Sequence, residues 1–315
     1  MLQYVARRLL LMIPTIFLIS LMVFFLVRLI PGDTVMMLLE NASLGERDVE
    51  AYRAKLGLDR PVYVQYGVWI TDVVRGDLGA SLWSRQPIAK EILQRLPVTA
   101  ELGAFAMFFS LLMAVPIGVV SAVRQDTWAD YVSRSLAILG LAVPGFWLGT
   151  LVIVLPAIWL GWIPPIRYVG FADNPWGNVQ QFLIPGFLLG LGLAAVVMRM
   201  TRSMMLEVLR QDYIRTAWSK GLRERAVVYR HALKNAMIPV VSILGVQIAV
   251  IAGGSVIFEQ IFNLPGIGKF MYRAIQTRDY PVIQGVNLFL AGVIVWANFM
   301  VDVTYAYLDP RIRFK

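Results

Sequence analysis

The side chains that could carry chemistry in this sequence are few and scattered. A single histidine, His231, sits in a basic stretch, and there is no cysteine among the 315 residues. One imidazole cannot form the His-pair zinc motifs, and a chain without thiols builds neither a disulfide framework nor a thiolate metal site. Gly266-Ile267-Gly268-Lys269 superficially has the look of a phosphate loop. It lacks the first glycine at the required spacing, and Phe270 stands where Ser or Thr belongs. Met198, Met200, Met204 and Met205 read as packing at a helix end in preference to a metal path. Asp302 lies inside an apolar run, where an ionisable group is a functional candidate by default. The plain reading makes it a buried hydrogen-bonding partner near the inner end of a span. A proton relay needs a second such group, and none is evident. With no paired catalytic constellation in view, an enzyme finds little support, and any ATP chemistry has to come from a partner.

The elements that must position these residues are membrane spans. The chain is 58% hydrophobic, with a mean hydropathy of +0.66, well above a soluble domain. Six apolar segments, roughly 9–30, 100–123, 135–160, 182–201, 238–258 and 284–308, are each long enough to cross about 30 Å of hydrocarbon. The first is too long for the apolar core of a cleaved signal and no small-residue cleavage site follows it. An even number of spans places both termini on one side. The segments 1–8, 124–134, 199–237 and 309–315 carry 16 Lys/Arg, whereas the short opposite loops 161–181 and 259–283 carry 4. The positive-inside rule therefore makes both termini cytoplasmic. It also accounts for the net charge of +9 without nucleic acid, none of whose binding modules is present. The expected fold is an all-α polytopic membrane protein with six transmembrane helices and an outer helical region between helices 1 and 2. By domain, 1–98 is the first span plus an external amphipathic region. Residues 99–308 form a five-helix core with a cytoplasmic loop at 199–238, and 309–315 is a basic tail.

That loop is the segment the chain is organised around. Between Arg199 and Met237 nine Lys/Arg face three Asp/Glu. Ile214, Ala217 and Trp218 recur at helical spacing, which predicts a short helix. Gly221 sits where that helix should stop, with Lys220 in its last turn, and a second helical pattern follows. A helix, a glycine and a second helix make a protruding elbow, with the small Ala217 at its surface, suited to docking into a groove on another protein.

Thr216-Ala217, three residues and then Gly221 resemble the "EAA…G" loop of the integral membrane subunits of binding-protein-dependent ABC importers. Arg199 through Pro239 resembles the peptide/nickel branch, in which Arg, here Arg215, commonly replaces the first Glu. The family's later proline is not matched, Lys234 standing in its place. Pro31-Gly32-Asp33, Leu56-Gly57-Leu58-Asp59-Arg60-Pro61, Gly76-Asp77-Leu78-Gly79 and Arg95-Leu96-Pro97 read as turns and resemble the N-terminal region of the same branch. Phe262 to Gly268 resembles a family loop that faces the binding protein. The tail from Tyr307 to Lys315 resembles the family's short C-terminus.

The resemblance implies a type I ABC importer permease (MetI-like) architecture in the bacterial inner membrane. Its implied partners are a second homologous permease subunit, two cytosolic ABC ATPase subunits, a periplasmic or lipid-anchored solute-binding protein, and membrane lipid. No cofactor is expected on this chain, with ATP and magnesium held by the ATPases. The implied coupling residues are Asp212, Tyr213, Arg215, Thr216, Ala217, Lys220, Gly221, Leu222 and Arg223. Ala217 would form a small docking surface, and Lys220 and Arg223 would meet acidic groups. Gly253, Gly254, Ser255 and Glu259 are candidates for the translocation path or gate, although close packing is the favoured reading of the two glycines. Asn263, Pro265, Gly266 and Gly268 are candidates for binding-protein contact.

Other features have local explanations. Arg28, a turn from the outer end of its span, is expected to snorkel to the interface. Val62, Tyr66, Trp69 and Val73 predict an amphipathic helix lying on the membrane face or capping the transporter. Thr99 opens the second span with Glu101 in its first turn. The pairs Gly145/Gly149 and Gly186/Gly190 are spaced for close helix contact. The alternative is a stand-alone secondary transporter or channel. It requires ion-binding carboxylates or broken helices with repeat symmetry inside the membrane.

Overall fold

The computed structural model describes residues 2–29, 57, 59–163 and 167–308, so the turn at Pro31-Gly32-Asp33 and the basic tail lie outside the described residues. The described residues form helices and no strand beyond one isolated bridge, Ala80 to Pro87. They group into two compact units. One comprises Val98–Gly268 with Ala297–Lys315, the other Leu2–Pro97 with Lys269–Trp296.

In the second unit, α1 (Leu2–Leu29) packs on α2 (Val62–Val74), the predicted amphipathic helix. Their contact is aromatic: Phe24 meets Tyr66 edge-on at 5.2 Å between centroids and Trp69 at 5.7 Å. The Tyr66 hydroxyl pairs with Ser20 Oγ at 2.8 Å. Arg28 does not extend to the interface alone. Its guanidinium lies 3.4 Å from the Phe24 ring centroid and donates to Gln65 Oε1 at 2.5 Å. The expected turn at Gly76–Gly79 is present, with both glycines at positive φ. Beyond it, Ser81 donates to Asp279 Oδ2 at 2.6 Å and Leu82 N–H to Oδ1 at 3.2 Å, so the buried carboxylate holds this loop to the start of α10 (Tyr280–Leu308). The short α9 (Ile267–Gln276) precedes it.

The second span begins earlier than its apolar stretch suggests. α3 runs from Ile88 to Val123, straight through Arg95-Leu96-Pro97, which is therefore not a turn. The helix is supported ahead of the proline by an i,i+4 ion pair, Glu91 to Arg95 at 2.7 Å, and by Arg95 stacking over Phe270 at 4.6 Å. Glu101 is consequently several turns into the helix, where it accepts from Asn178 Nδ2 at 2.9 Å instead of capping an N-terminus.

The third span is also different: it is two helices, α4 (Trp128–Ala142) and α5 (Gly145–Leu160), bent by 85° at Val143-Pro144. Proline drives the residue before it out of the α region, and Val143 is extended at φ −85°, ψ 120°. With this broken pair taken as one span, the helices long and apolar enough to cross a membrane number six among the described residues.

The core of the first unit is built on α6 (Pro175–Leu209) and α8 (Glu224–Ile261), with α7 (Asp212–Ser219) between them. Near its N-terminal end α8 contains a π-helical turn, Val227–Ala232. Small residues set the helix spacing. A Cβ on Gly190 would lie 2.6 Å from the Ala106 carbonyl oxygen, and one on Gly118 2.8 Å from Thr201 Cβ. Gly145 and Gly149 pack on Phe258, Ile261 and Phe262 of α8 and its C-terminal end. Both small-residue pairs therefore act as close helix contacts. Towards the outer side the core is aromatic and leucine-rich (Leu102, Phe182, Leu189, Phe258), and towards the inner side it narrows to Ala122, Met205, Ile214, Ala217 and Val227. The methionines Met198 and Met205 are buried in these clusters as packing residues.

Candidate functional site

The elbow is present with its geometry closed by glycine. α7 ends at Ser219, and Gly221 has φ +73°. Gly221 N–H donates to the Trp218 carbonyl at 2.9 Å and Leu222 N–H to the Ala217 carbonyl at 3.4 Å. These two bonds form a Schellman closure, in which the left-handed residue after the helix must avoid a Cβ penalty. Around Gly221 there is no atom within 4 Å of a Cβ position, so the requirement is one of backbone conformation alone.

α7 is anchored by two residues. Ile214 is fully buried and Ala217 is 7% exposed, among Val119 and Ala122 of α3, Met205 of α6, and Val227, Val228 and Ala232 of α8. Tyr213 adds a polar tie, its hydroxyl accepting from Asn235 Nδ2 at 2.7 Å. Ala217 therefore cannot be a docking surface. It is small because the helix lies close against three others. Nor does Trp218 share the buried face, being 45% exposed. The outward face of the elbow consists of Asp212, Arg215, Thr216, Trp218, Lys220, Leu222 and Arg223, all exposed. Asp212 and Arg215 form a 3.2 Å pair on that face, each largely in solvent. Trp218, absent from the sequence-derived set, is its largest apolar group. The signal for it was available, since only two of the three apolar positions on an eight-residue helix fit a narrow buried stripe.

A second cluster beside the elbow had no counterpart in the sequence expectations. Asp130, fully buried in the first turn of α4, receives Arg202 of α6 bidentately, Nε to Oδ1 at 2.8 Å and Nη2 to Oδ2 at 2.9 Å. Ser121 of α3 donates to Oδ1 at 2.5 Å, the Asp126 N–H to Oδ2 at 3.1 Å, and Arg134 Nη2 approaches Oδ2 at 3.0 Å. Planar two-point pairing with further donors is what lets a carboxylate tolerate removal from water. The cluster ties together the inner ends of α3, α4 and α6. The acid and its arginine are 72 residues apart in sequence, and the positive-inside count registers Arg202 only as a charge.

The path candidates on α8 divide. Gly253 has nothing within 4 Å of a Cβ position, whereas Gly254 lies against Leu189 at 3.3 Å and Ser255 is fully buried. Glu259 is also fully buried. Its Oε1 accepts from Thr99 Oγ1 at 2.7 Å, and Thr99 Oγ1 in turn accepts from Ile267 N–H at 2.9 Å. A side chain on Gly266 would collide with the Glu259 carboxylate, and one on Gly268 would lie 2.6 Å from Val256 Cα. Gly266 and Gly268 are therefore packing residues and not part of a contact surface. In the loop expected to face a binding protein, Asn263, at φ +56°, and Pro265 are exposed. Asp302 is half-buried on α10 and has an interaction partner. It is not the lone acid of the spans, since Glu101, Asp130 and Glu259 also lie on the long helices. Among the described residues no three His, Cys, Asp or Glu side chains gather as a metal site.

Similarity to known proteins covers the whole chain. Residues 114–314 match the family described as the binding-protein-dependent transport system inner membrane component, and residues 1–103 match the description of its N-terminal part. A dipeptide transport system permease protein of Alkalihalophilus pseudofirmus is 42% identical, the match covering 100% of each chain. A glutathione transport system permease protein of Escherichia coli is 40% identical, again over 100% of each.

Proposed function

This chain belongs to the family of binding-protein-dependent transport system inner membrane components, and on that premise we propose how its elbow couples transport to ATP hydrolysis. The chain is a multi-pass membrane subunit of an ABC importer in the bacterial inner membrane, and is not itself an enzyme. The proposed assembly adds a second, related permease, two cytosolic ATPase subunits that hold ATP and magnesium, and an external solute-binding protein. This chain supplies half of the path and binds no cofactor.

The observation that carries the coupling proposal is the two-sided character of α7. Ile214 and Ala217 fix it to the inner ends of α3, α6 and α8, while Arg215, Trp218, Lys220, Leu222 and Arg223 face the cytosol. A push on the outward face by a closing ATPase has no soft layer to be absorbed in, because the buried face is close-packed. Displacement passes into α8, whose outer half carries Gly253 and Gly254, and the cavity exchanges inward for outward access. Lys220 and Arg223 suit acidic groups on the ATPase, and Trp218 and Leu222 suit an apolar groove. Asp212, Tyr213 and Thr216 shape and hold the helix: Thr216 donates to the Asp212 carbonyl and Tyr213 is tied to Asn235.

The proposed cargo is a small peptide-like solute, following the dipeptide and glutathione transport named in the two relatives. The test is ATPase activity of the co-expressed complex in lipid, with its binding protein either empty or loaded with a dipeptide, an oligopeptide or glutathione. Stimulation by one loaded form supports a coupled importer and selects the cargo. A complex that retains no ATPase, with uptake driven by an ion gradient, would return the assignment to a stand-alone transporter.

A further inference from the structure

Below the elbow, a cleft of about 450 Å³ opens between the inner end of α3 and the start of α8. Its wall is apolar, formed by Val120, Val123 and Val228, and its rim is polar, formed by Arg124, Glu224 and Arg225 with Tyr229 beside them. Arg124 and Arg225 are exposed, and neither makes an ion pair with another described residue. Val120 is exposed although it belongs to a helix that crosses the membrane. Trp128, Tyr131 and Tyr229, all exposed, sit on the elements around the cleft. Exposed aromatic residues at the cytoplasmic ends of spans mark the headgroup level, where an apolar stem and a basic rim face lipid and phosphate respectively.

We propose that this cleft binds one glycerophospholipid, its phosphodiester bridged by Arg124 and Arg225 and an acyl chain lying along Val120, Val123 and Val228. Two guanidinium groups against one carboxylate leave a single net positive charge, matched to a singly charged phosphodiester. Glu224 on the rim accepts a hydrogen bond from the headgroup, which favours the hydroxyls of phosphatidylglycerol or the ammonium of phosphatidylethanolamine. Phosphatidylcholine, with no headgroup donor, is disfavoured. A free phosphate ester would leave the valine wall in contact with water and gains nothing from it. The inference rests on the membrane topology and not on the coupling role of α7, so either can fail alone.

Native mass spectrometry of the whole complex tests it, after delipidation in detergent and readdition of each of the three lipids. The wild-type complex is expected to retain one more phosphatidylglycerol or phosphatidylethanolamine than the Arg124→Gln/Arg225→Gln variant. Retention at that site should weaken on the order of tenfold in the variant, from the loss of two surface cation contacts. Arg124→Lys/Arg225→Lys should keep the lipid, because a point charge still pairs with phosphate. Val120→Trp, which fills the cleft with both arginines intact, should expel it. Equal lipid counts in wild type and the Gln variant would overturn the proposal, as would retention in Val120→Trp. Displacement by soluble glycerol phosphate would assign the site to a free phosphate ester. Loss of ATPase subunits from the Gln variant with lipid unchanged would make the arginines protein contacts instead.

Discussion

Substituting Gly221 separates backbone strain from charge at the elbow. Its φ of +73° is a left-handed conformation that costs an L-residue about 1–2 kcal/mol. No atom lies within 4 Å of the Cβ position, so Gly221→Ala adds that strain and no collision. The cost falls on the Schellman closure and not on the core, because Ile214 and Ala217 stay buried whether or not the turn closes properly. A penalty of this size changes the population of the closed elbow by a factor of about 5–30. Gly221→Asn should lose less, since a short polar side chain tolerates the left-handed region. Gly221→Asp has nearly the same shape as Asn, but it places a negative charge beside Lys220 and Arg223 on the face proposed to meet the ATPase. Uptake in proteoliposomes, measured with ATPase stimulation by loaded binding protein, distinguishes the two effects. The expected order of coupled uptake is wild type, Asn, Ala, Asp, with assembly intact in all four and hydrolysis persisting without transport in the Asp variant. Normal uptake by Gly221→Asp would refute the coupling assignment. Failure of Gly221→Ala to assemble would refute the claim that the glycine serves only the turn.

Three further outcomes follow from the packing. Asp130→Asn leaves Arg202 inside the structure without its counter-charge, and breaking a buried pair in this way costs about 3–5 kcal/mol. A thermal stability assay in detergent should show a much larger loss for it than for Arg134→Gln, whose side chain is 39% exposed. Gly190→Ala forces a methyl against the Ala106 carbonyl and should destabilise by about 1–3 kcal/mol, whereas Gly192→Ala meets nothing and should be neutral or stabilising. The same assay on the two variants decides it. Thr99→Val removes the hydroxyl shared by Glu259 and the Ile267 N–H, which takes away the acceptor of the Ile267 N–H, at about 1–3 kcal/mol, and one donor from Glu259. Accelerated hydrogen exchange at the Ile267 amide would report that loss, and unchanged protection would refute it.

Much of the fold was legible because hydrocarbon imposes one constraint, a long apolar helix, that sequence displays directly. The helix ends were less legible. Nothing in an apolar profile reveals that α3 continues outward to Ile88, since its extension is held by Glu91, Arg95 and Phe270 instead of by lipid. Pro144 was visible, but a proline within a span either kinks or breaks it. The choice lies in the backbone of Val143, which turns extended. At the elbow, Gly221 was readable because a left-handed turn leaves a chemical signature. Ala217 was not, since a small residue fits an exposed surface and a tight contact equally well. The Asp130–Arg202 pair is a purely tertiary fact, joining two helices whose sequences carry no mark of each other.

The π-helical turn at Val227–Ala232 supplies the α8 residues that seat the elbow, Val227, Val228 and Ala232, at the opposite end of the helix from Gly253. A wide turn accommodates one more residue than an α turn, and one residue corresponds to about 100° of helix phase and 1.5 Å of rise. The face of the turn that seats the elbow is thus offset in phase from where a continuous α-helix would place it relative to Gly253. Deleting a single residue there would rotate Gly253, Gly254 and Ser255 by more than a quarter of a revolution about the helix axis relative to the face that seats the elbow. Within this one helix, the angle of the cytosolic handle and the angle of the transmembrane face are adjustable by the length of a six-residue gear.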